Sequence, residues 1–226
     1  MISSAVLQWI AAFTMVIDHL GLYILYGTPA YDPMRMIGRI AFPLYIFMLT
    51  EGFRHTRQHD KYFLRIIIFA FISQLPYDLV SWHAGLPWSL NIMFTLATCL
   101  MAMSMAKRGG WWWLGVAGLT LVAQVGKMDY GAAAVMMTIG FYLASKRYKK
   151  EEDRPLRVLG YGVVLLFSMA LMLLINGWVT QMMAVLALIP IALYNGQKGQ
   201  RMPRYFFYVF YPTHLLAIFA LALMLY

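Results

Sequence analysis

The chain has 226 residues, 62% hydrophobic and only 12% charged, whereas an ordinary soluble domain is about 25% charged. A water-soluble core of this length cannot hide so much apolar surface, so a soluble globular class is excluded and a bilayer is the expected solvent. The net charge of +9 comes from 18 Lys and Arg against 9 Asp and Glu; in so apolar a chain that excess belongs to cytoplasmic loops, and nucleic acid is not expected as a partner.

In chain order, the apolar residues fall in runs of about 16 to 22, long enough at 1.5 Å per residue to approach or cross a hydrocarbon core of roughly 30 Å. They predict helices near 5 to 26, 36 to 53, 62 to 80, 89 to 106, 111 to 126, 130 to 145, 157 to 175, 180 to 194 and 205 to 226. The expected fold is all-α, a polytopic membrane helical bundle of about nine transmembrane helices in a single domain, 1 to 226. The fifth, sixth and eighth runs are short, and tilted or re-entrant alternatives leave the count at eight to ten. Two polar stretches break the chain most clearly, SKRYKKEEDRPLR at 145 to 157 and NGQKGQRMPR at 195 to 204. The single Cys99 lies inside an apolar run, so no intrachain disulfide is possible and a small buried hydrophobe is expected there.

The basic residues test this count. With the N-terminus cytoplasmic and the C-terminus outside, 15 of the 18 Lys and Arg fall on the inner side, and only Arg35, Arg39 and Lys127 fall outside. The first run lacks a basic leader and carries Asp18 and His19, so it reads as a retained helix rather than a cleaved signal peptide. Trp111, Trp112 and Trp113 follow Lys107 and Arg108 and suit an aromatic belt at the inner interface.

Ionisable groups in hydrocarbon cost about 2.5 to 3.5 kcal/mol each at a helix centre, so each asks for a partner and a reason. In this topology they gather toward one side: Asp18 and His19 in the first helix, Arg35 and Arg39 at the start of the second, Asp78 at the end of the third. Asn91 opens the fourth helix, Lys127, Asp129 and Tyr130 precede the sixth, and His214 lies in the ninth. Together they outline a polar chamber open to the outer half of the membrane. Mutual pairing of acids and bases is one explanation of the cluster, and a functional site is the other.

His19 is the side chain best suited to accept a proton near neutral pH. Asp18 is a poor candidate to orient its ring, because neighbours at i and i+1 point about 100° apart on a helix. Asp78 or Asp129 is the expected partner of His19, while Asp18 faces Arg35 or Arg39, which are spaced i, i+4 and share a face. His214 follows Pro212, where a freed backbone lets polar groups enter a helix, and an interhelical hydrogen bond competes with a catalytic role there. The chain contains no G-x-S-x-G elbow, H-E-x-x-H, Cys/His metal spacing or phosphate-cradling glycine loop, and no metal is expected. His55 and His59 are i, i+4 but lie in a basic loop without an evident third ligand.

IDHLG (17 to 21), MRMIGRIAFPLYIFMLTEGFRHTR (34 to 57), KYFLRIIIFAFISQLPYDL (61 to 79), NIMFTL (91 to 96), DYG (129 to 131) and YPTHL (211 to 215) closely resemble the TraX family. That family is named for a conjugative-pilus protein that N-acetylates the amino-terminal alanine of pilin, and it is similar to the wider transmembrane acyltransferase superfamily. The resemblance implies a bacterial cytoplasmic-membrane enzyme that takes an acyl group from acyl-CoA on the inner side. Acetyl-CoA is the implied donor, and the acceptor is an amine or hydroxyl outside, such as a pilin N-terminus or a cell-envelope molecule. His19 matches the family's membrane-embedded catalytic histidine. Acyl transfer also needs donors or positive charge where the oxyanion grows; Arg39 suits that role, with Arg35, Asn91 or Tyr130 nearby. Arg54, His55, Arg57 and Lys61 are candidates for the CoA phosphates, although positive-inside topology alone also explains them. A proton-coupled transporter or flippase, and a non-catalytic pilus-assembly partner, are the other classes that place such residues in a bundle.

Overall fold

A computed structural model describes residues 1–177, 179–200 and 205–225, without the side chains of 175 and 176. Arg201, Arg204 and Tyr226, which enter the expected topology, lie outside the described residues. Each expected run becomes helical, with two of the nine broken. The ten α-helices among the described residues are α1 (Ser4–Tyr23), α2 (Tyr31–Gly38), α3 (Ala41–His55), α4 (His59–His83), α5 (Ile92–Arg108), α6 (Trp112–Val125), α7 (Gly131–Arg147), α8 (Arg154–Asn176), α9 (Leu188–Leu193) and α10 (Phe206–Leu225). A 3-10 segment, Val179–Ala187, precedes α9.

Among the described residues five helical stretches are long and apolar enough to cross a membrane: α1, the α2–α3 pair, α4, α8 and α10. Their lipid-type surface is plain in Phe13, Phe71, Leu75, Val163 and Leu223, large apolar side chains that are mostly exposed. In water each such side chain would forgo roughly 1.5 to 3 kcal/mol of burial, a loss that a bilayer removes. The helix most enclosed by the others is α3, where Leu44, Ile46, Phe47, Leu49 and Phe53 are all buried. It packs on α1, α5, α7 and the 3-10 segment. Around it run α4 against α5 and α10, α5 against α6 and α7, and α7 against α8. Cys99 is buried in α5 as expected.

The breaks have local causes. Pro43 has no N–H to offer the carbonyl of Arg39 four residues back, which frees the chain between α2 and α3. There Arg39 N–H still reaches Arg35 O at 3.2 Å, but Ile40 N–H turns to Ile37 O at 3.3 Å, a tighter i−3 bond. The second break is the 3-10 segment itself, which packs on α2 beside the first. The two irregular stretches therefore meet, and the polar groups of one are within reach of the other. At the far end of α3, Ile2 N–H donates to Leu193 O at 2.8 Å and Asn195 N–H to Ile2 O at 2.9 Å, which ties the N-terminus to the end of α9.

Candidate functional site

A cavity of about 700 Å³ opens at the end of the bundle where α2 meets α3. Its walls come from α1, α2, α3, α4, α5, α8, α10, the 3-10 segment and the turn between α6 and α7, and they include Asp18, His19, Arg35, Arg39, Asp129 and Tyr130.

Asp18 is the hub. Its Oδ2 accepts from Arg35 Nη1 at 2.5 Å, and its Oδ1 accepts from Arg39 Nη2. The i, i+4 spacing of the two arginines on α2 and its C-cap brings both guanidinium groups to one carboxylate. Arg39 is 6% exposed and Asp18 8% exposed, and Arg35 is partly buried, so two guanidinium groups share one carboxylate in a largely buried triad. Arg39 is held further by Nε donating to Arg35 O at 3.3 Å and Nη1 donating to Gln181 Oε1 at 3.2 Å. Gln181 comes from the 3-10 segment and is fully buried, which makes the meeting of the two breaks a hydrogen-bonded joint. The close approach of α1 to α2 depends on Gly38, where an added Cβ would overlap the Asp18 side chain.

His19 and His214 meet across α1 and α10, with His19 Nδ1 and His214 Nε2 2.7 Å apart. The rings are nearly parallel, 6° apart, with centroids at 5.0 Å. That separation is about the nitrogen distance plus the two ring radii, so the rings lie edge to edge in nearly one plane and the hydrogen bond follows the lone-pair direction. The partner of His19 Nδ1 is therefore a second imidazole rather than the expected Asp78 or Asp129. Asp78 lies outside the cavity lining, because α4 continues to His83 and Asp78 accepts from Gln74 Nε2 at 2.7 Å within that helix. Asn91 is also drawn away. Its Oδ1 caps α5 by accepting from Met93 N–H at 3.0 Å, and its Nδ2 donates to Ala70 O and Gln74 Oε1, both at 2.8 Å.

The turn carrying Asp129 is strained on both sides: Lys127 has φ 52° and Tyr130 φ 63°, the left-handed region that side chains other than glycine seldom adopt. Leu90 N–H donates to Lys127 O at 3.2 Å and Thr95 Oγ1 to Asp129 O at 3.0 Å, and the Tyr130 ring stacks on Phe42 with centroids 3.7 Å apart. The result aims Asp129 into the cavity, where burial pushes its carboxyl up to about 6 against the pull of Arg39 and Arg35.

Of the cationic candidates at the other end of α3, Arg54 and His55 line a smaller cavity of about 180 Å³ with Glu51, Glu151, Arg154 and Arg157. Arg57 and Lys61 are exposed and line neither cavity. Among the described residues no group of three His, Cys, Asp or Glu side chains is placed to hold a metal ion. Gln181 and the tyrosines Tyr23, Tyr77 and Tyr211 of the cavity wall were not singled out from the sequence. For Gln181 a signal exists: it is one amide in the otherwise apolar stretch MMAVLALIPIAL and its leader, and a polar residue in such a stretch usually bonds across helices.

The helices and the cavity define an all-helical bundle, with five helical stretches among the described residues long and apolar enough to cross a membrane, that carries an Arg–Asp–Arg triad and a paired histidine at one end. The chain belongs to the TraX family: the family model described as TraX protein matches residues 3–222. It is 32% identical over 231 residues to the probable fimbrial assembly protein FimC, serogroup H1, of Dichelobacter nodosus, covering 92% of this chain and 91% of that one. It is 29% identical over 230 residues to protein TraX of Escherichia coli, covering 96% of this chain and 86% of that one. No solved structure matches it.

Proposed function

We propose that this protein is a membrane-embedded acyltransferase of the bacterial cytoplasmic membrane. In this reading it moves an acyl group, an acetyl group first among them, from acyl-CoA to an amine or hydroxyl in the large cavity. The observation that carries the reading is His19 on the cavity wall, paired at Nδ1 and beside two arginines whose charge exceeds that of their one carboxylate. The acceptor nitrogen or oxygen attacks the thioester carbonyl while His19 takes its proton. The oxyanion grows toward Arg39 and Arg35, the carbon–sulfur bond breaks, and the leaving thiolate recovers the proton from His19. The fimbrial relative's name supports a pilus subunit as one acceptor.

The proposed orientation places the cavity outside and the end bearing Arg54, His55 and Arg154 in the cytoplasm, where CoA phosphates are met. Reporters inserted near Leu86 and near Lys150 should then read opposite sides of the membrane. The activity is tested with purified protein in lipid nanodiscs, acetyl-labelled acetyl-CoA and a short peptide with a free N-terminus. Label passing to the peptide, with release of free thiol, is the expected result. Folded protein that releases no thiol and transfers no label to amine or hydroxyl acceptors contradicts the proposal. The joined breaks at Arg39 and Gln181 favour a second reading, a transporter, because such helices often frame substrate sites; uptake of a solute into proteoliposomes without label transfer would select it.

A further inference from the structure

A carbonyl oxygen can only accept a hydrogen bond. His214 Nδ1 lies 3.0 Å from the carbonyl of Phe210, one turn earlier in α10, so in the neutral ring the proton sits on Nδ1. Nε2 of the same ring then carries a lone pair, and it is this nitrogen that faces His19 Nδ1 at 2.7 Å. The bond forms only if His19 is the donor. His19 therefore holds its proton on Nδ1, and its own Nε2 is left with a lone pair. The second ring is fixed as well as oriented, since Phe210 stacks on it at 5.3 Å and 12° and Tyr211 packs at 5.5 Å.

We infer that His214 is a positioning residue: through the Phe210 carbonyl it sets the tautomer of His19 and leaves His19 Nε2 as the proton acceptor of the site. The neighbouring carboxylate serves another pair, Asp18 accepting from Arg35 and Arg39, while His19 Nδ1 is directed at His214. A neutral ring in the place of an acid has a consequence. When His19 Nε2 takes a proton from the substrate, the Nδ1–H to Nε2 bond becomes charge-assisted and strengthens, and the positive charge is shared toward His214. The inference rests on the acyl-transfer reading for its chemistry, but the tautomer is measurable without it.

The test uses the full chain in nanodiscs with 15N-labelled histidine, the His19 signals being identified by their loss in His19→Ala. Wild-type His19 is expected to show a protonated Nδ1 and an unprotonated Nε2. In His214→Leu the acceptor is gone and the tautomers should mix, with transfer falling by about 10² or more, the scale of a general base. His214→Gln can return an acceptor oxygen near the lost Nε2, and it should recover part of the Nδ1-protonated form and part of the rate. A proton on Nε2 of wild-type His19 overturns the inference. So does an equal loss of rate in the Leu and Gln variants with the His19 tautomer unchanged, which marks His214 as packing alone. The expected tautomer in a protein that transfers no acyl group supports the positioning role and counts against the enzymatic reading instead.

Discussion

The two ends of α3 carry similar residues in opposite arrangements. At the Arg39 end the charged and polar groups are few and buried, and they are joined across the fold: Asp18 to Arg35 and Arg39, Arg39 to Gln181, and His19 to His214. At the Arg54 end they are many, and their ion pairs join near neighbours in the chain, Glu51 with Arg54 and His55, and Glu151 with Arg154 and Arg157; Arg154 also reaches across, to the carbonyls of Ala192 and Tyr194. Glu151 is 78% exposed there and His55 65%. Closeness in the chain is enough to create the second kind of pair, and solvent screens the exposed ones, those of Glu151 and His55, to a small value. The first kind requires several elements to converge, and each member depends on the rest. A constellation of that sort is expensive to keep in an apolar bundle, which is the physical reason to place function at the Arg39 end.

The largest effect expected from breaking this contrast is at Asp18. Asp18→Asn leaves the buried guanidinium of Arg39 and the partly buried one of Arg35 facing one neutral amide, and removing one partner of a buried ion pair costs about 3 to 5 kcal/mol. Its melting temperature in detergent should fall well below that of the wild type, and an unchanged value would show that the arginines find water instead. Gly38→Ala reaches the same carboxylate sterically, because the new methyl group overlaps the Asp18 side chain. Overpacking of this kind costs about 1 to 3 kcal/mol, and a melt as cooperative and as high as the wild type's would contradict the tight approach of α1 to α2.

The i, i+4 spacing of Arg35 and Arg39 puts them on one helix face, from which the sequence suggests Asp18 as the partner of one or the other; that both bind it is seen only in the structure. Helix positions were legible because apolar runs mark them. The His19–His214 bond was not, since its members are 195 residues apart and nothing in a run of apolar residues says which helices touch. Asp78 was placed with the polar cluster because the apolar run fades near it. The helix in fact continues, and Gln74 one turn back takes its carboxylate. Hydropathy likewise does not separate a 3-10 stretch from an α-helix, so the irregular eighth run, and with it the bond from Gln181 to Arg39, stayed hidden. Pro43 did carry a signal for the break before α3, in the missing bond to the carbonyl of Arg39.

A smaller effect is expected from Asp129. Its carboxyl is raised to about 6 in the folded protein, above the ordinary value of about 3.9 for an unfolded chain. Between those values the native state binds the extra proton, so this group's contribution to stability is fully present at low pH and is lost as pH rises through about 6. Asp129→Asn should flatten that part of the stability profile, and an unchanged slope between pH 4 and 6, a window of about two units set by those values, would assign it to other groups. The smallest effects belong to the opposite end. Arg57→Ala and Lys61→Ala remove exposed cations outside both cavities, and each should leave the melting temperature within error. A marked loss of acetyl-CoA-induced thermal stabilisation in either would move the donor site to that loop.

The central claim is that His19 is the proton acceptor of an acyl transfer in the large cavity. Label transfer from acetyl-CoA to an acceptor peptide should therefore be compared for wild type and His19→Ala, in the same lipid and with the folded fraction of each measured by thermal melt. The expected result is a folded variant whose transfer rate is lower by about 10² to 10⁴, the range for removal of a general base. A folded His19→Ala protein that transfers the label at the wild-type rate would contradict the account.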